Sequence, residues 1–507
     1  MNSSANFKKD CIDNLCDMKY NQTHELQTYK FDCRGGVMFV GRSDELRKLD
    51  EMNKSDRFEF AVIYGRRRVG KTTLIKEFIR DKKAVYFLAR EADSAVNLVG
   101  FSNDVYYVTA NEHVGKSLFS DWEKAFEYVY KIAKDERIIL VIDEYPYLAD
   151  GYRPISSIIQ AHIDMWLNNS KLFLILCGSS MSFMENQVLG YKSPLYGRRT
   201  GQFKIRPFNF FDSLPFFEKF ADTDKAVLYG VTGGIPEYMT KIDSTKTVKD
   251  NLIRMFLEPS GLLYEEPSNL LKQELREPAV YNGIIKAVAG GASKLNEIAT
   301  KCMMESNKCA KYLKSLMSLG IIKKEHPVTE TISKKSIYLL DDMMFRFWYR
   351  FVFPDMSNIV SGLGDSVYEY SVSKGLSAYM GLVFEEICKQ FVFEEAKKDV
   401  IPFFIGKVGK WWGNNPKEKR QEEIDILTYR EDQALFCECK WTNAPVDIDV
   451  LRDLKSKSDL FPYVNKWFWL FAKVGFTERL VAETNKCGNV RLISFENMLE
   501  RLYESMP

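Results

Sequence analysis

A glycine-containing loop with the spacing of a phosphate-binding site lies in the first part of the chain. Residues 65–72 have the sequence Gly-Arg-Arg-Arg-Val-Gly-Lys-Thr, which fits the pattern GxxxxGKT. An apolar run precedes the loop and a helical pattern follows it, as this pattern requires. The glycines let backbone N–H groups face phosphates, and the N-terminus of the following helix adds a partial positive charge. The loop therefore predicts a site for ATP with Mg²⁺.

Two side chains of the loop have direct roles in such a site. Lys71 is predicted to reach the β- and γ-phosphates, and the Thr72 hydroxyl to ligate Mg²⁺. The other cofactor-binding residues that we predict in the loop are Gly65, Arg68, Val69, Gly70 and Thr73.

A second apolar run, Ile138–Ile142, ends in two adjacent carboxylates. We expect Asp143 to hold Mg²⁺ through water, and Glu144 to polarise the attacking water as a general base. Buried carboxylates are costly without a partner, which argues against the alternative of a plain solvated turn. The sequence therefore predicts hydrolysis of ATP as well as binding.

A third apolar run leads into Gly178-Ser179-Ser180. A polar group here would lie between the phosphate loop and the strand that ends in the two acids. Ser179 or Ser180 could therefore sense the γ-phosphate. The alternative is a turn that caps the next helix.

Apolar runs alternate with amphipathic helical stretches from Phe39 onwards, which predicts a parallel sheet with helical crossovers. The strand candidates are Phe60–Tyr64, Ala84–Leu88, Ile138–Ile142 and Leu172–Cys177. The helix candidates include Thr72–Arg80, Trp122–Ala133 and Ser157–Leu167. The fold class is therefore α/β.

Six short segments, considered together, carry a family resemblance. They are residues 39–42 (Phe-Val-Gly-Arg), the phosphate loop, the Asp143-Glu144 pair, residues 178–180, residues 193–200 (Ser-Pro-Leu-Tyr-Gly-Arg-Arg-Thr) and residues 233–238 (Gly-Gly-Ile-Pro-Glu-Tyr). This combination resembles the prokaryotic "archaeal ATPase" family of the STAND branch of AAA-type ATPases. The resemblance runs from about residue 38 to the C-terminus.

The resemblance assigns further residues to the nucleotide. It implies that Val40, Gly41 and Arg42 lie near the adenine. It also implies that Pro236, in the segment 234–236, belongs to a lid that faces the nucleotide.

The same resemblance implies that Arg198 or Arg199 is an arginine finger or a phosphate sensor. An arginine suits a developing phosphoryl charge. The alternative is a surface arginine pair. A finger from a neighbouring copy would imply a homo-oligomer, whereas Arg198 could equally act within its own chain.

The middle of the chain has the pattern of a winged helix. Residues 295–299 and 306–319 have helical patterns, and a strand and a hairpin ending at Ile337–Leu340 follow. Between Ser293 and Leu340 there are nine lysines, four glutamates and no arginine. Lys308, Lys311 and Lys314 share one helix face, so the two hypotheses are contact with DNA phosphates and a solvated interdomain module.

The C-terminal region combines two carboxylates and a lysine on a predicted β-hairpin. Residues 423–427 and 435–440 are the two strands. Because residues two apart in a strand point to the same face, Glu438 and Lys440 project together. The hairpin brings Asp425 alongside them.

This D…ExK pattern resembles the PD-(D/E)xK nuclease fold, although Ile424 replaces the proline before the aspartate. The resemblance implies that Asp425 and Glu438 bind Mg²⁺ or Mn²⁺ and that Lys440 orients or deprotonates the attacking water. Glu385, on an upstream helix, would add a carboxylate. The alternative is an inactive nuclease-like domain that binds DNA or a protein.

Length and composition limit the classes of protein to which this chain could belong. The chain has 507 residues, a net charge of +2 and 46% hydrophobic residues. No apolar run approaches the roughly 20 residues of a membrane helix, and the N-terminus lacks the apolar segment of a signal peptide. The ten cysteines form no CxxC pair, so we expect reduced thiols in a cytoplasmic protein.

The predicted organisation is a P-loop AAA-type ATPase core with a helical lid, a winged helix and a C-terminal restriction-endonuclease-like α/β domain. The predicted boundaries are a disordered extension at 1–37, the core at 38–206, the lid at 207–277, the winged helix at 278–353, a link at 354–375 and the nuclease-like domain at 376–507.

Overall fold

The structure is a computed structural model that describes residues 39–110, 118–167, 169–330, 335–416 and 418–503. The predicted extension at 1–37 lies outside these residues.

Five parallel strands form the sheet of the first domain, and the sequence predicts four of them. They are β1 (Glu59–Tyr64), β2 (Ala84–Leu88), β3 (Ile138–Asp143), β4 (Leu172–Gly178) and β5 (Gly201–Lys204). The strand order is β2-β3-β4-β1-β5, and all paired neighbours are parallel. Strands β1, β3 and β4 are buried along their whole length, which explains their continuous apolar runs.

This order determines what meets at the carboxyl edge of the sheet. Because β4 lies between β1 and β3, the Ser179 turn falls between the phosphate loop and the two acids, as predicted. The strand β5 was not predicted, because Phe203 is the one buried residue in its four.

The helices around this sheet are α1 (Ser43–Asn53), α2 (Lys71–Ile79), α3 (Ser94–Ala110), α4 (Trp122–Ile132), α5 (Tyr145–Gly151), α6 (Ile155–Trp166) and the short α7 (Met181–Phe183). The sequence analysis gave bounds for α2, α4 and α6, and these helices begin and end within two residues of the expected bounds.

The regular elements of residues 207–277, all of which are described, are helices. They are α8 (Phe210–Ser213), α9 (Asp222–Thr232), α10 (Pro236–Met239), α11 (Val248–Phe256) and α12 (Glu266–Glu274). A capping box of Thr247 and Asp250 begins α11.

Three helices and a two-stranded antiparallel ribbon follow. They are α13 (Pro278–Ala289), α14 (Leu295–Lys301), α15 (Ser306–Ser318), β6 (Ile322–Glu325) and β7 (Ile337–Leu340). On α15, Cys309, Leu313 and Leu316 are buried. The three lysines of its other face are exposed, as the amphipathic pattern predicts.

The segment 354–375, expected to be a link with hinge glycines, is helical instead. After α16 (Met343–Phe347) it holds α17 (Met356–Val360), α18 (Gly364–Val367) and the start of the long α19 (Ser373–Lys397). Val367 and Val372 are buried. A Cβ at Gly364 would lie 2.2 Å from the carbonyl oxygen of Leu257, so this glycine permits close packing against the lid.

The C-terminal domain is a five-stranded mixed sheet of order β12-β11-β10-β9-β8. The strands are β8 (Val408–Asn415), β9 (Arg420–Arg430), β10 (Gln433–Lys440), β11 (Asn465–Ala472) and β12 (Val490–Ser494). Its other helices are α20 (Ile448–Ser458), α21 (Glu478–Thr484) and α22 (Phe495–Tyr503). Strands β8, β9 and β10 are antiparallel neighbours, and β10, β11 and β12 are parallel.

Both faces of this sheet are covered. Alternate residues of β10 enter different cores: Leu435 and Cys437 join the core that continues from the first domain, whereas Phe436 joins a second core against α20. The C-terminal domain is therefore packed onto the rest of the molecule through α19 and one face of its sheet.

None of the helices in the described part of the chain has the length and apolar character needed to cross a bilayer.

Candidate functional site

The phosphate loop curls between β1 and α2, as the sequence predicts. A Cβ at Gly65 would lie 2.3 Å from the carbonyl oxygen of Ile205, so only glycine fits there. Gly70 has a φ of +88° and precedes the first residue of α2. The Lys71 ammonium donates hydrogen bonds to the carbonyl oxygens of Gly65 at 2.9 Å and Arg66 at 3.1 Å. It is therefore folded over the loop on the side where phosphates would lie.

The predicted magnesium side is assembled around Asp143. Its carboxylate accepts hydrogen bonds from the Thr72 hydroxyl at 2.8 Å and from the Tyr86 hydroxyl at 2.6 Å. Burial, followed by the neighbouring Asp143 carboxylate, raises the pKa of Tyr86, which therefore keeps its proton to donate. A carboxylate at the end of β3 in contact with a hydroxyl in the first turn of α2 suits a hard divalent cation.

The predicted general base is held by the neighbouring strand. Glu144 has a φ of +52° at the start of α5, an uncommon conformation for a residue other than glycine. One oxygen of its carboxylate accepts the Ser179 hydroxyl at 2.9 Å and the Ser179 N–H at 3.3 Å. Ser179 therefore lies in the site as predicted, but its hydroxyl donates to Glu144.

A cavity of about 540 Å³ lies over the loop. The predicted residues that line it are Val40, Arg42, Arg68, Val69, Gly70, Lys71, Thr72, Thr73, Glu144, Ser179 and Pro236. The lining residues that the sequence analysis missed are Phe39, Arg67, Phe208, Phe216, Glu237, Thr240 and Gln273. The aromatic rings among them provide an apolar wall of the kind a base needs, opposite the cationic loop, so the cavity fits a nucleoside triphosphate.

Arg42 and Gly41, two of the residues expected near the adenine, both lie against the Phe208 ring. Arg42 donates to the carbonyl oxygens of Val69 at 3.2 Å and Arg206 at 2.5 Å, and its guanidinium lies 4.1 Å from the centre of the Phe208 ring. Gly41 has a φ of +67°, and a Cβ there would lie 2.7 Å from the same ring. Arg42 lines the cavity, whereas Gly41 allows Phe208 to approach.

Arg198 is not among the residues that line this cavity. Its guanidinium forms a two-bond pair with the Asp164 carboxylate on α6, at 2.7 and 2.8 Å. A sensor role within its own chain is therefore not supported by this geometry, because the side chain is held on the outer surface of the sheet domain. A role toward a neighbouring copy stays a prediction.

Each of the three consecutive loop arginines pairs with a carboxylate far along the chain. Arg66 pairs with Asp342, at the start of α16. Arg67 and Arg68 pair with Glu274 and Glu266, at the two ends of α12. The repeated arginines of the sequence were a signal for these contacts, but their partners are more than 190 residues away and no local pattern identifies them.

The C-terminal carboxylates come together on β9, β10 and α19. Asp425 accepts the N–H of Cys439 at 2.8 Å. Burial, with the carboxylates of Glu438 and Glu385 nearby, raises the pKa of Asp425 to about 7. Lys440 pairs with Glu438 at 2.6 Å, so the predicted D…ExK residues share one location.

Two further lysines, which the sequence analysis did not single out, also occupy this acidic site. Lys410 on β8 lies 3.3 Å from the Glu385 carboxylate and 3.9 Å from that of Asp425. Lys457 lies 3.7 Å from Glu438. Within the described residues, no group of three or more His, Cys, Asp or Glu side chains is arranged to hold a metal ion. The expected ligands Asp425 and Glu438 are thus near each other but paired with lysines.

One atom of the acidic site nevertheless lacks a hydrogen bond. Oε2 of Glu438 is buried and accepts none, and the side chain is 9% exposed. The Lys457 ammonium lies 3.7 Å from this oxygen, which is beyond hydrogen-bond distance. Glu385, Asp425 and Glu438 provide hard carboxylate oxygens, a donor set that fits Mg²⁺ or Mn²⁺. In this structure lysine ammonium groups lie beside all three carboxylates.

A larger cavity, of about 770 Å³, connects the two halves of the molecule. Gly65 and Arg66 lie on one side of it, and Glu385, Lys410 and Asp425 on the other. The acidic site and the base of the phosphate loop therefore open into one space.

Comparison with known proteins identifies two families along the chain. Residues 39–242 match a family model described as an ATPase domain predominantly from Archaea. Residues 348–455 match a family of archaeal and bacterial proteins of unknown function. The uncharacterized protein MJECL04 of Methanocaldococcus jannaschii is 37% identical over 429 residues, which cover 83% of this chain and 92% of the relative.

Solved structures resemble the chain more distantly. The Walker-type ATPase paby2304 of Pyrococcus abyssi is 18% identical with a TM-score of 0.47, over 62% of this chain and 96% of that one. The ORC2 protein of Aeropyrum pernix is 12% identical with a TM-score of 0.39, over 66% and 96%. The family match, the full-length relative and the geometry of the phosphate loop agree, and the chain belongs to the family of ATPases found predominantly in Archaea.

Proposed function

We propose that this protein is an ATP-hydrolysing switch that controls a C-terminal, metal-dependent nuclease-like domain acting on DNA. One observation carries the proposal: the phosphate loop and the acidic site border the same cavity, through Arg66 on one side and Glu385 and Asp425 on the other.

In the ATPase half, this chain's residues have separable roles. Lys71 binds the terminal phosphates, and Thr72 and Asp143 hold the magnesium ion. Glu144 takes the proton of the attacking water, and Ser179 keeps its carboxylate in place. Bound ATP–Mg²⁺ would supply a phosphoanhydride bond whose hydrolysis releases the loop.

The loop arginines provide the route by which nucleotide changes the rest of the molecule. Arg67 and Arg68 both line the nucleotide cavity and both pair with carboxylates of α12. Phosphates in the cavity would compete with those carboxylates for the same guanidinium groups. We propose that this competition moves the lid, and through Arg66 and Asp342 the middle module.

We assign the middle module as a winged helix. The support is the order of three helices followed by an antiparallel ribbon. Its exposed lysines on α15 would bind DNA phosphates without reading base sequence.

We assign the C-terminal domain as a PD-(D/E)xK nuclease-like domain. The support is the D…ExK set on adjacent antiparallel strands and the buried, unbonded oxygen of Glu438. Asp425 and Glu438 would hold Mg²⁺ or Mn²⁺, which supplies charge neutralisation at the scissile phosphate. Lys440 would orient the attacking water.

A second candidate function is a signalling or scaffold ATPase whose C-terminal domain is an inactive binding module. The observation that favours it is that the carboxylates of the acidic site are already paired with lysines. In that case ATP would drive assembly and no phosphodiester would be cut.

The ATP site is tested with Lys71→Ala, and Lys76→Ala on the same helix is the control. We expect the first variant to lose binding of a fluorescent ATP analogue and the second to keep it. Equal affinity in Lys71→Ala and the unaltered protein would overturn the assignment of the loop.

The two candidate functions are separated by incubating the protein with supercoiled, linear and single-stranded DNA, with Mg²⁺ or Mn²⁺, and with or without ATP. Cleavage that disappears in Asp425→Ala supports the nuclease. Cleavage that survives in Asp425→Ala indicates a contaminant. ATPase activity that DNA stimulates, without cleavage of any substrate, supports the binding module.

A further inference from the structure

Lys410 is the central cation of the acidic site. Its ammonium lies 3.3 Å from the Glu385 carboxylate on α19, 3.3 Å from the Glu423 carboxylate and 3.9 Å from the Asp425 carboxylate, both on β9. Three acids from two elements thus converge on one lysine, and the Lys410 side chain is only 23% exposed.

The local backbone aims Lys410 and Asp425 at each other. The pairing of β8 with β9 shifts register between Gly409 and Trp411, which pair with Leu427 and Ile424. Strand β9 therefore has an extra residue opposite Lys410. A bulge of this kind redirects side chains and is common beside functional sites.

A lysine in this position and a divalent ion need the same oxygens. Mg²⁺ or Mn²⁺ binds carboxylate oxygens at about 2.0–2.2 Å, so an ion on Glu385 and Asp425 would lie within a few ångströms of the ammonium. The low-dielectric surroundings would make repulsion between the two cations strong. Only one of them can occupy these carboxylates at a time.

The other cations of the site are placed differently. Lys440 and Lys457 both pair with Glu438 on β10, and Lys457 pairs as well with Asp453 on its own helix at 2.7 Å. Lys410 is thus the cation held by Glu385 and Asp425 together, and both carboxylates are among the residues that line the shared cavity.

The strand that carries Lys410 is also attached to the middle module. The N–H of Val328, in the segment after β6, donates to the carbonyl oxygen of Lys410 at 3.0 Å. The Tyr429 hydroxyl donates to the carbonyl oxygen of Val328 at 3.4 Å. A movement of the middle module would therefore act directly on the backbone of Lys410.

We propose that Lys410 is a tethered cation that competes with the divalent metal ion for Glu385 and Asp425, and that release of Lys410 admits the metal. The inference rests on the metal-dependent chemistry proposed above. It makes Lys410 a residue that controls the resting site, with its backbone held by the module that the ATPase moves.

The test is Mn²⁺ binding to the full-length protein by calorimetry and electron paramagnetic resonance, without nucleotide. Lys410→Met and Lys410→Gln are compared with Lys389→Met, which alters another lysine of the same cavity. We expect Mn²⁺ to bind up to about fivefold more tightly to both Lys410 variants, as loss of a competing ion pair predicts, and unchanged binding to Lys389→Met. Asp425→Asn in each background identifies the fraction of binding that belongs to this site.

The outcomes are distinct. Binding that is sensitive to Asp425→Asn but equal in the unaltered protein and both Lys410 variants overturns the role of Lys410 and leaves the metal site standing. Weaker binding in the Lys410 variants also overturns it. If no protein has binding sensitive to Asp425→Asn, the proposed metal chemistry fails and the inference fails with it. Thermal melting of each variant verifies that the fold is retained.

Discussion

Arg66 of the phosphate loop forms a buried ion pair with Asp342, a residue that lies 276 positions further along the chain. The side chains are 7% and 4% exposed. The other oxygen of Asp342 accepts the N–H of Phe345 at 2.9 Å and so caps α16. The loop that would hold the nucleotide is thereby fixed to the N-cap of α16, two residues after the end of β7.

Loss of one member of this pair should be strongly destabilising. Asp342→Asn keeps an oxygen that can cap the helix but leaves the Arg66 charge buried without a counter-ion. We expect the free energy of unfolding to fall by about 3 kcal/mol, the lower end for a broken buried pair. Urea titration followed by tryptophan fluorescence measures it.

An exposed pair provides the control. Arg47 and Glu51 lie 2.7 Å apart with 57% and 60% of their side chains exposed, so Glu51→Gln should leave the free energy of unfolding almost unchanged. The double variant Arg66→Met/Asp342→Leu should be more stable than the sum of its single variants predicts. An Asp342→Asn effect no larger than that of Glu51→Gln would contradict a structural role for the pair.

Two glycines should respond in opposite directions to alanine. At Gly65 the new methyl group would meet the Ile205 carbonyl oxygen at 2.3 Å, and backbone cannot yield as a flexible side chain can. We expect Gly65→Ala to lose about 1–3 kcal/mol of unfolding free energy and to lose nucleotide binding.

Gly283 is the matched position. It is exposed on α13, and no atom lies within 4 Å of a Cβ built there. Gly283→Ala should raise the unfolding free energy by up to about 1 kcal/mol, because alanine favours a helix more than glycine does. Similar melting temperatures for the two alanine variants would contradict the packing described at the loop.

The site was predictable where its chemistry is local in sequence. Lys71, Thr72, Asp143 and Glu144 follow apolar strands, and a parallel sheet brings such strand ends to one edge. The position of Lys410 in the acidic site and the partners of the loop arginines were not predictable. No sequence pattern identifies the residue with which a lysine or glutamate on a helix or strand forms an ion pair. The pair of Arg198 with Asp164 was unpredictable for the same reason, since no sequence pattern links the two residues.

The fold was also predictable where it depends on a local sequence pattern. Buried strands and amphipathic helices have periodic patterns, so their bounds were predicted within a few residues. The segment 354–375 was expected to be a link because it holds Pro354, Gly362 and Gly364. In the structure Gly364 allows close contact with Leu257, a packing role that composition does not distinguish from flexibility.

Glu144 and Ser179 should affect the rate of ATP hydrolysis without affecting nucleotide affinity. We expect Glu144→Gln to lower kcat by about 10²–10⁴-fold, the range for loss of a general base. Ser179→Ala removes one of two hydrogen bonds to the carboxylate, so we expect a smaller loss of about tenfold. Phosphate release measured at saturating ATP gives both values.

The adjacent hydroxyl separates positioning from direct phosphate sensing. Ser180→Ala should leave kcat unchanged, because the hydrogen bonds to Glu144 come from Ser179. A loss in ATP affinity with unchanged kcat in Ser179→Ala would instead indicate that this hydroxyl contacts the γ-phosphate.

The exposed lysines on one face of α15 predict how DNA affinity depends on salt concentration. Lys308, Lys311 and Lys314 are exposed along one side of the helix, and each phosphate contact releases counter-ions. If all three bind DNA phosphates, changing them together to alanine should weaken binding equally for duplexes of unrelated sequence. It should also reduce the slope of log K against log salt by about 2.7 in magnitude, at about 0.9 per contact.

The control Lys48→Ala/Lys54→Ala/Lys131→Ala removes the same charge from exposed positions elsewhere in the ATPase domain. A slope that falls equally in both triple variants would mean that net charge, and not this face, carries the DNA affinity. A slope that changes in neither would assign the face to solvent, leaving the middle module as a connector between the phosphate loop and Lys410.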